Sequence, residues 1–429
     1  MIAFFKRLMR DPRGNALLIA GAALPVVIGA AGLATDSTQW VLWKRQLQRA
    51  ADSGALAGAY AKSQSDSASS AVSADLVNNN QAKNLSGISL STGYPQVTYP
   101  TSSSWSYGVK VTLAMTKRLS FSSLFMTNPP TITATATAAL VDKGEYCVVA
   151  LEKTTATGIT IGGNTNTSLG CGAISNSRNQ NSAVAANGSS YSFIADPVAA
   201  VGGLPGAITG VTTLRPFHTP MIDPYANKFS TAVPPGMPCK TFNQHASNGN
   251  TNPKTLTPGC FTSFNPNGNT TYNLQPGVYY LNNTDFQLNG NDSLRGTGVT
   301  IVLTGTAPGS VKVNGNSTVD LSAPTSSSCG VDSAGSNSCT YEKMLFIQAA
   351  NASSNNGNTI NGTNTSNYDG AVYFPNGQVS FTGNTADMTK CAMVVARQVV
   401  FSGNSNLQNN TTGCKANTKA PGKEVRLVA

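Results

Sequence analysis

The sequence predicts an α+β chain: a transmembrane, pilin-like helix with a small β-sheet, then a mostly β domain built as a right-handed parallel β-helix. Three observations carry this: an uncharged apolar run at 16–34, two alternating segments at 107–115 and 131–141, and a Gly-Asn motif recurring between 159 and 406. A β-sandwich is the alternative, because Asn-Gly loop chemistry also serves hairpins.

The apolar run begins at Ala16, carries Pro25 near its middle and ends at Ala34, with no charge between Arg13 and Asp36. At ~1.5 Å per residue it covers roughly 28 Å, close to the ~30 Å of bilayer hydrocarbon. A secretory signal has an apolar core of only ~7 to 15 residues, so the length predicts a retained anchor at 16–35 rather than a cleaved leader. Membrane helices tolerate a proline such as Pro25. Lys6, Arg7, Arg10 and Arg13 precede the run in a short cytoplasmic lead (1–15), and Asp36 is the first ionisable group after it. That asymmetry predicts a cytoplasmic N-terminus and an exported remainder, with the membrane crossed once. Lys44, Arg45 and Arg49 weaken it, and the cysteines restore it.

All eight cysteines, Cys147, Cys171, Cys239, Cys260, Cys329, Cys339, Cys391 and Cys414, fall beyond residue 146. An even number confined to the exported side predicts disulfides, with sequential neighbours the expected partners. Zinc is disfavoured because no Cys-x-x-Cys pair occurs and His218 and His245 are isolated. The charged fraction is 11%, with Asn, Ser, Thr and Gly in its place, as suits an exported β protein. Of the net charge of +10, half lies within residues 1–62 and the rest is spread thinly. A groove that tracks nucleic-acid phosphates is therefore not expected.

Past the anchor, the helix is predicted to continue, with Trp40, Trp43, Leu47, Ala50, Gly54 and Ala57 at helical spacing. The small residues could pack against another helix or rest on this chain's own domain, and Trp40 and Trp43 suit a membrane interface. Here the residues carry a resemblance. Arg13, Gly14 and Asn15, the apolar run, the exit through Asp36, and the stretch holding Leu47, Ala50, Ala51 and Asp52 resemble the TadE/TadG-like family of Flp (Tad) pilus assembly. The resemblance implies an anchored, TadG-like component with an exported C-terminal part, partnered by other TadE/TadG-like pseudopilins and Tad platform proteins. Two departures matter. Ile19 stands where prepilin cleavage after Gly14 would want glutamate, so no cleavage is expected. The segment around Glu152 lacks the serine pattern of a von Willebrand metal site, so no metal is expected there.

Residues 63–80 read as a polar helix tail fading into a linker. The segments YGVKVTLAM (107–115) and TITATATAALV (131–141) alternate as strands do, and close an exported helix-plus-sheet region spanning 36–144. Eight prolines between Pro197 and Pro238 predict an irregular insert over 190–270, stapled by Cys239 and Cys260, within a β region starting at 145. A repeat domain is placed at 271–429. Its motif recurs as ITIGGNTN (159–166), FQLNGNDS (286–293), VKVNGNST (311–318), TINGTNTS (359–366), VSFTGNTA (379–386) and VVFSGNSN (399–406). From Gly290 the glycines are spaced 25, 47, 21 and 20 apart, a solenoid period with one copy unmarked. Gly and Asn are expected in left-handed corners, and neutral side chains avoid stacking like charges ~4.8 Å apart.

Beyond residue 271 the acids are Asp285, Asp292, Asp320, Asp332, Glu342, Asp369, Asp387 and Glu424, without histidine. No convergent acid-base site is legible, and no catalytic residue, metal ligand or cofactor is expected. The function predicted is a non-enzymatic component of Flp/Tad pilus assembly or secretion, exposing a β-helix for interaction or adhesion. The alternative is a membrane-tethered carbohydrate-active enzyme or carbohydrate binder.

Overall fold

The computed structural model describes residues 14–64, 66–188, 190–245, 253–267, 270–313, 317–325, 338–355, 357–361, 366–382, 393–403, 409 and 420–428. The chain divides into two compact units, one of residues 1–141 and 424–429, the other of 142–423. The second is thus an insertion into the first.

In the first unit, helix α1 (Gly14–Ser63) is continuous through Pro25. From Leu47 onward one face is buried, with Leu47, Ala50, Ala51, Ala55 and Ala59 shielded from solvent. They rest on an antiparallel sheet of β1 (Gln96–Thr98), β2 (Ser106–Thr116) and the start of β3 (Thr131–Ala150), where Val111 pairs with Ala136 and Leu113 with Ala134. The Thr/Ala alternation works as the pattern requires: Ile132, Ala134, Ala136 and Ala138 face the helix, while Thr133 and Thr135 face outward. Between the two partners left open for the small residues, the structure chooses this chain's own domain.

Residues 68–80 are not a linker. A short helix α2 (Ala68–Asp75) starts at a Ser67 cap and passes into a π-helical turn over Leu76–Asn80. Its stripe of Ala68, Val72 and Leu76, four residues apart, seats on α1 where Gly54 and Gly58 leave room. A Cβ on Gly58 would lie 2.9 Å from both Val72 and Val109. The polar residues that suggest a linker bond inside the helix instead, with the amides of Asn79 and Asn80 each donating to Asp75 at 2.8 Å.

The second unit is a stack of parallel coils, which excludes an antiparallel sandwich. One inward row runs Tyr279, Ile301, Phe346, Val372, Val394, Val148, Ala173, Val198, each paired with the next and all in the core. Another runs Leu288, Val313, Ile360, Phe381, Phe401, Ile161, Ala186. The residues of this second row from Leu288 to Ile161 stand two positions before the motif glycines, so the spacings read from the sequence are the coil lengths. The interval of 47 hides no extra coil, because Val313 pairs directly with Ile360. It is one enlarged coil, extended between the strand ending at Ser322 and the strand starting at Met344.

Glycine takes the left-handed position at the described motif corners, while asparagine takes one elsewhere, at Asn283 (φ +54°) just past the strand Gly277–Asn282. Gly163, Gly290 and Gly403 have φ of +68°, +72° and +76°, whereas Asn164 and Asn291 are not left-handed. Gly163 also abuts the Gly403 backbone, its Cβ position lying 2.8 Å from the Gly403 nitrogen. Gly163→Ala should therefore lower stability by at least the ~1–2 kcal/mol of a left-handed L-residue, read as a lower urea midpoint for the full chain in detergent.

Stacking does not follow chain order. The coil starting at Tyr146 lies between the next coil, through Val148–Ala173 and Ile159–Val184, and the last, through Val394–Val148 and Val399–Ile159. The chain thus starts mid-stack, builds one way to Arg215, then crosses to the far end and returns coil by coil. The crossing is the proline-rich segment. It is shorter than the prolines suggest, since strands occupy Ser192–Ile194 and Val198–Ala200 before it and Cys239–His245 after it.

This segment covers an outward row of Tyr280, Val302, Ile347, Tyr373, Val395, Val149, Ile174 and Ala199, which explains strands apolar on both faces. Its contacts step along the stack. The Met221 amide donates to Asn176 at 2.7 Å, the Tyr373 hydroxyl to Asp223 at 2.8 Å, and the Tyr341 hydroxyl to the Ser230 carbonyl at 2.6 Å. Disulfides join Cys147 to Cys171 and Cys239 to Cys260, each linking adjacent coils. Cys329, Cys391, Cys414 and the side chain of Cys339 lie outside the described residues.

Candidate functional site: the anchoring helix

The first half of α1 has almost no protein around it. Ile19, Leu24, Val26, Val27, Ile28 and Leu33 are all exposed, Val26 to 70%. In water, each such side chain forgoes about 1.5–3 kcal/mol of burial, so a long uncovered apolar helix needs another apolar medium. Helix α1 is long and apolar enough to cross a membrane. Gly14, Asn15 and Ala16 lie in its first turn, Pro25 and Ala34 farther along, and Arg13 is outside the described residues.

Asp36 marks the change from bare to packed helix. It is buried, and it accepts hydrogen bonds from the Phe121 amide (3.0 Å), the Ser122 amide (2.5 Å) and the Ser122 hydroxyl (2.6 Å). One turn earlier Gly32 faces the Phe121 ring, which a Cβ would strike at 2.3 Å. The motif residues Gly32 and Asp36 thus hold the β2–β3 connection to the helix. From the sequence, Asp36 has a place in a motif and in the charge asymmetry about the span, but no hydrogen-bond partner. An acid directly after an apolar run was the available signal.

The other motif residues serve packing. Leu47, Ala50 and Ala51 are core, and Asp52 accepts from Gln48 at 2.8 Å. Trp40 is exposed, but Trp43 is buried beneath Lys117, whose ammonium sits 4.9 Å from the ring centroid, so only Trp40 keeps the interfacial placement.

The acids of the coil stack are dispersed. Asp285 pairs with Lys312 at 2.5 Å beside an open cleft of about 430 Å³. Buried Asp292 accepts from the Thr270 amide, and Asp320 from the Asn367 amide group. Asp332 and Asp387 lie outside the described residues. Among the described residues no three His, Cys, Asp or Glu side chains converge as a metal site would require.

Glu152 has a structural partner. It bonds Arg397 at 2.7 Å and accepts from the amide and hydroxyl of Thr154. Burial raises its pKa, but the Thr154 bonds and the Arg397 guanidinium outweigh this and hold the carboxyl below its ordinary value. A carboxyl lowered by folding stabilises above its unfolded pKa, about 4.3, and loses that contribution as pH falls through the folded value. Urea midpoints should therefore fall as pH drops below about 5, and Glu152→Gln should flatten that fall.

A bare apolar helix long enough to cross a membrane, a pilin-like helix-on-sheet unit and a disulfide-joined coil stack define the class: a β-solenoid protein with an N-terminal helix suited to membrane anchoring. Residues 14–61 match the family model described as putative Flp pilus-assembly TadE/G-like. The matched segment is α1 almost entire, and the coil stack lies outside it. No curated protein and no solved structure matches the chain.

Proposed function

We propose that this protein is a non-enzymatic component of Flp (Tad) pilus assembly or secretion, anchored in the bacterial inner membrane by α1. The observation that carries the reading is the coincidence of the family match with a helix bare in its first half and packed in its second. The N-terminus is cytoplasmic and the coil stack exported: four basic residues precede the span, and disulfides join coils beyond it. The stack serves as a spacer, plug or adhesive surface. Dispersed, individually partnered carboxylates support a role without catalysis.

Other TadE/TadG-like pseudopilins and platform proteins are the proposed partners. The surface free to meet them is the exposed side of α1 at Leu42, Arg45 and Arg49, since Leu47, Ala50 and Ala51 are already buried. A photo-crosslinking residue at Leu42, Arg45 or Arg49 in living cells should recover membrane proteins of the pilus machine. Normal pili in a strain lacking this protein, together with no such adducts, would end the proposal. Loss of polysaccharide turnover with pili intact, on replacing Asp285 and Asp320 by alanine, would favour the carbohydrate reading.

A further inference from the structure

The connection between β2 and β3 presents an apolar tip with no function assigned so far. Leu124, Phe125 and Met126, at the end of a 3-10 turn over Ser122–Leu124 and just after it, are exposed to 73%, 76% and 49%. Such a cluster at a loop tip is unfavourable in water. Loop tips normally carry polar residues, so this composition calls for an apolar environment.

Its position is fixed by three contacts. Asp36 binds the Phe121 and Ser122 amides and the Ser122 hydroxyl, the Phe121 ring lies against Gly32, and Leu119 is buried in the helix-sheet core. Gly32 and Asp36 bracket the end of the apolar run at Ala34. If the run spans the hydrocarbon, the tip is held where hydrocarbon gives way to headgroups. Phe125 packs on Phe121 at 5.4 Å, so the tip is braced rather than loose. Exposed Arg118 precedes it, adding a cation suited to anionic headgroups.

We infer that Leu124, Phe125 and Met126 insert into the outer leaflet of the bilayer that α1 crosses, making a second membrane contact beside the helix. The occupant is lipid acyl chain, because the tip is continuous with the bare apolar surface of the span. One helix leaves a protein free to rotate and tilt, while a wedge fixed to it by Asp36 sets both. The inference rests on the membrane-anchoring reading, and its test separates the two.

The full chain, carrying a photo-crosslinking phenylalanine analogue at position 27, 99 or 125, is reconstituted into vesicles of phosphatidylethanolamine and phosphatidylglycerol. After irradiation, adducts are identified by mass. Val27 reports the span. Tyr99, exposed and beneath Lys62, lies beside the far end of α1, roughly 39 Å of helix beyond Asp36. Lipid adducts are expected at 27 and 125 and none at 99. Lipid at 27 without lipid at 125 overturns the wedge while leaving the anchor intact. Adducts from 125 to a second copy, in place of lipid, overturn it in favour of self-association. No lipid at 27 overturns the anchor and the wedge with it.

Discussion

Phe401→Ala is expected to destabilise the coil stack by about 3–5 kcal/mol, among the largest effects of any single substitution. Phe401 is fully buried, its ring stacked on Phe381 at 5.5 Å and tilted against Phe193 at 5.4 Å. Its register partners are Phe381 on one side and Ile161 on the other. It therefore fills the seam where the last returning coil closes on the first. Truncation leaves a cavity bounded by coils far apart in the chain, which cannot close without shifting the stack. Phe401→Leu, which keeps most of the volume, should cost far less. The check is urea unfolding of the full chain in detergent, where the alanine variant shifts the midpoint strongly without altering the slope.

Arg397→Met should cost about 3 kcal/mol, by a different route. The guanidinium reaches several coil levels: it binds Glu152 at 2.7 Å, the Asn376 carbonyl at 3.1 Å and the Ser354 carbonyl at 2.8 Å. Removing it strands Glu152, whose side chain is 5% exposed, as a charge without its cation. The cost is mainly that unpaired carboxylate, so Arg397→Met with Glu152→Gln should recover part of the loss. Arg397→Lys should rescue poorly, because one ammonium cannot replace a fork that bonds in three directions. A double-mutant cycle on urea midpoints measures the coupling.

Much of this architecture was legible because it is periodic. The inward positions Leu288, Val313, Ile360, Phe381 and Phe401 could be read from the motif, since each precedes its glycine by two residues. What periodicity cannot carry is order. A repeat says that neighbours pair, not that the coil starting at Tyr146 sits between two others, because that contact joins residues 246 apart in sequence, as Val148 and Val394 are. The enlarged coil after Ser322 escaped for a related reason: an insertion and an unmarked repeat lengthen a spacing alike. Helix α2 and the π turn after it were hidden by composition, as Ser and Asn over 68–80 outnumber Ala68, Val72 and Leu76, which seat them. Asp36 was visible, but its role needed the partner loop, 85 residues away. The apolar tip at Leu124 was too short for any periodic signal.

The central claim is that α1 stays in the bilayer and holds the coil stack on its oxidising side. Cells are treated with a permeant thiol-blocking reagent, membranes are washed with alkaline carbonate, and the retained protein is digested without reduction for mass mapping. The account predicts that the protein resists the wash and yields Cys147 linked to Cys171 and Cys239 linked to Cys260, all four unblocked. Release by carbonate, or recovery of those cysteines carrying the blocking group, would contradict it.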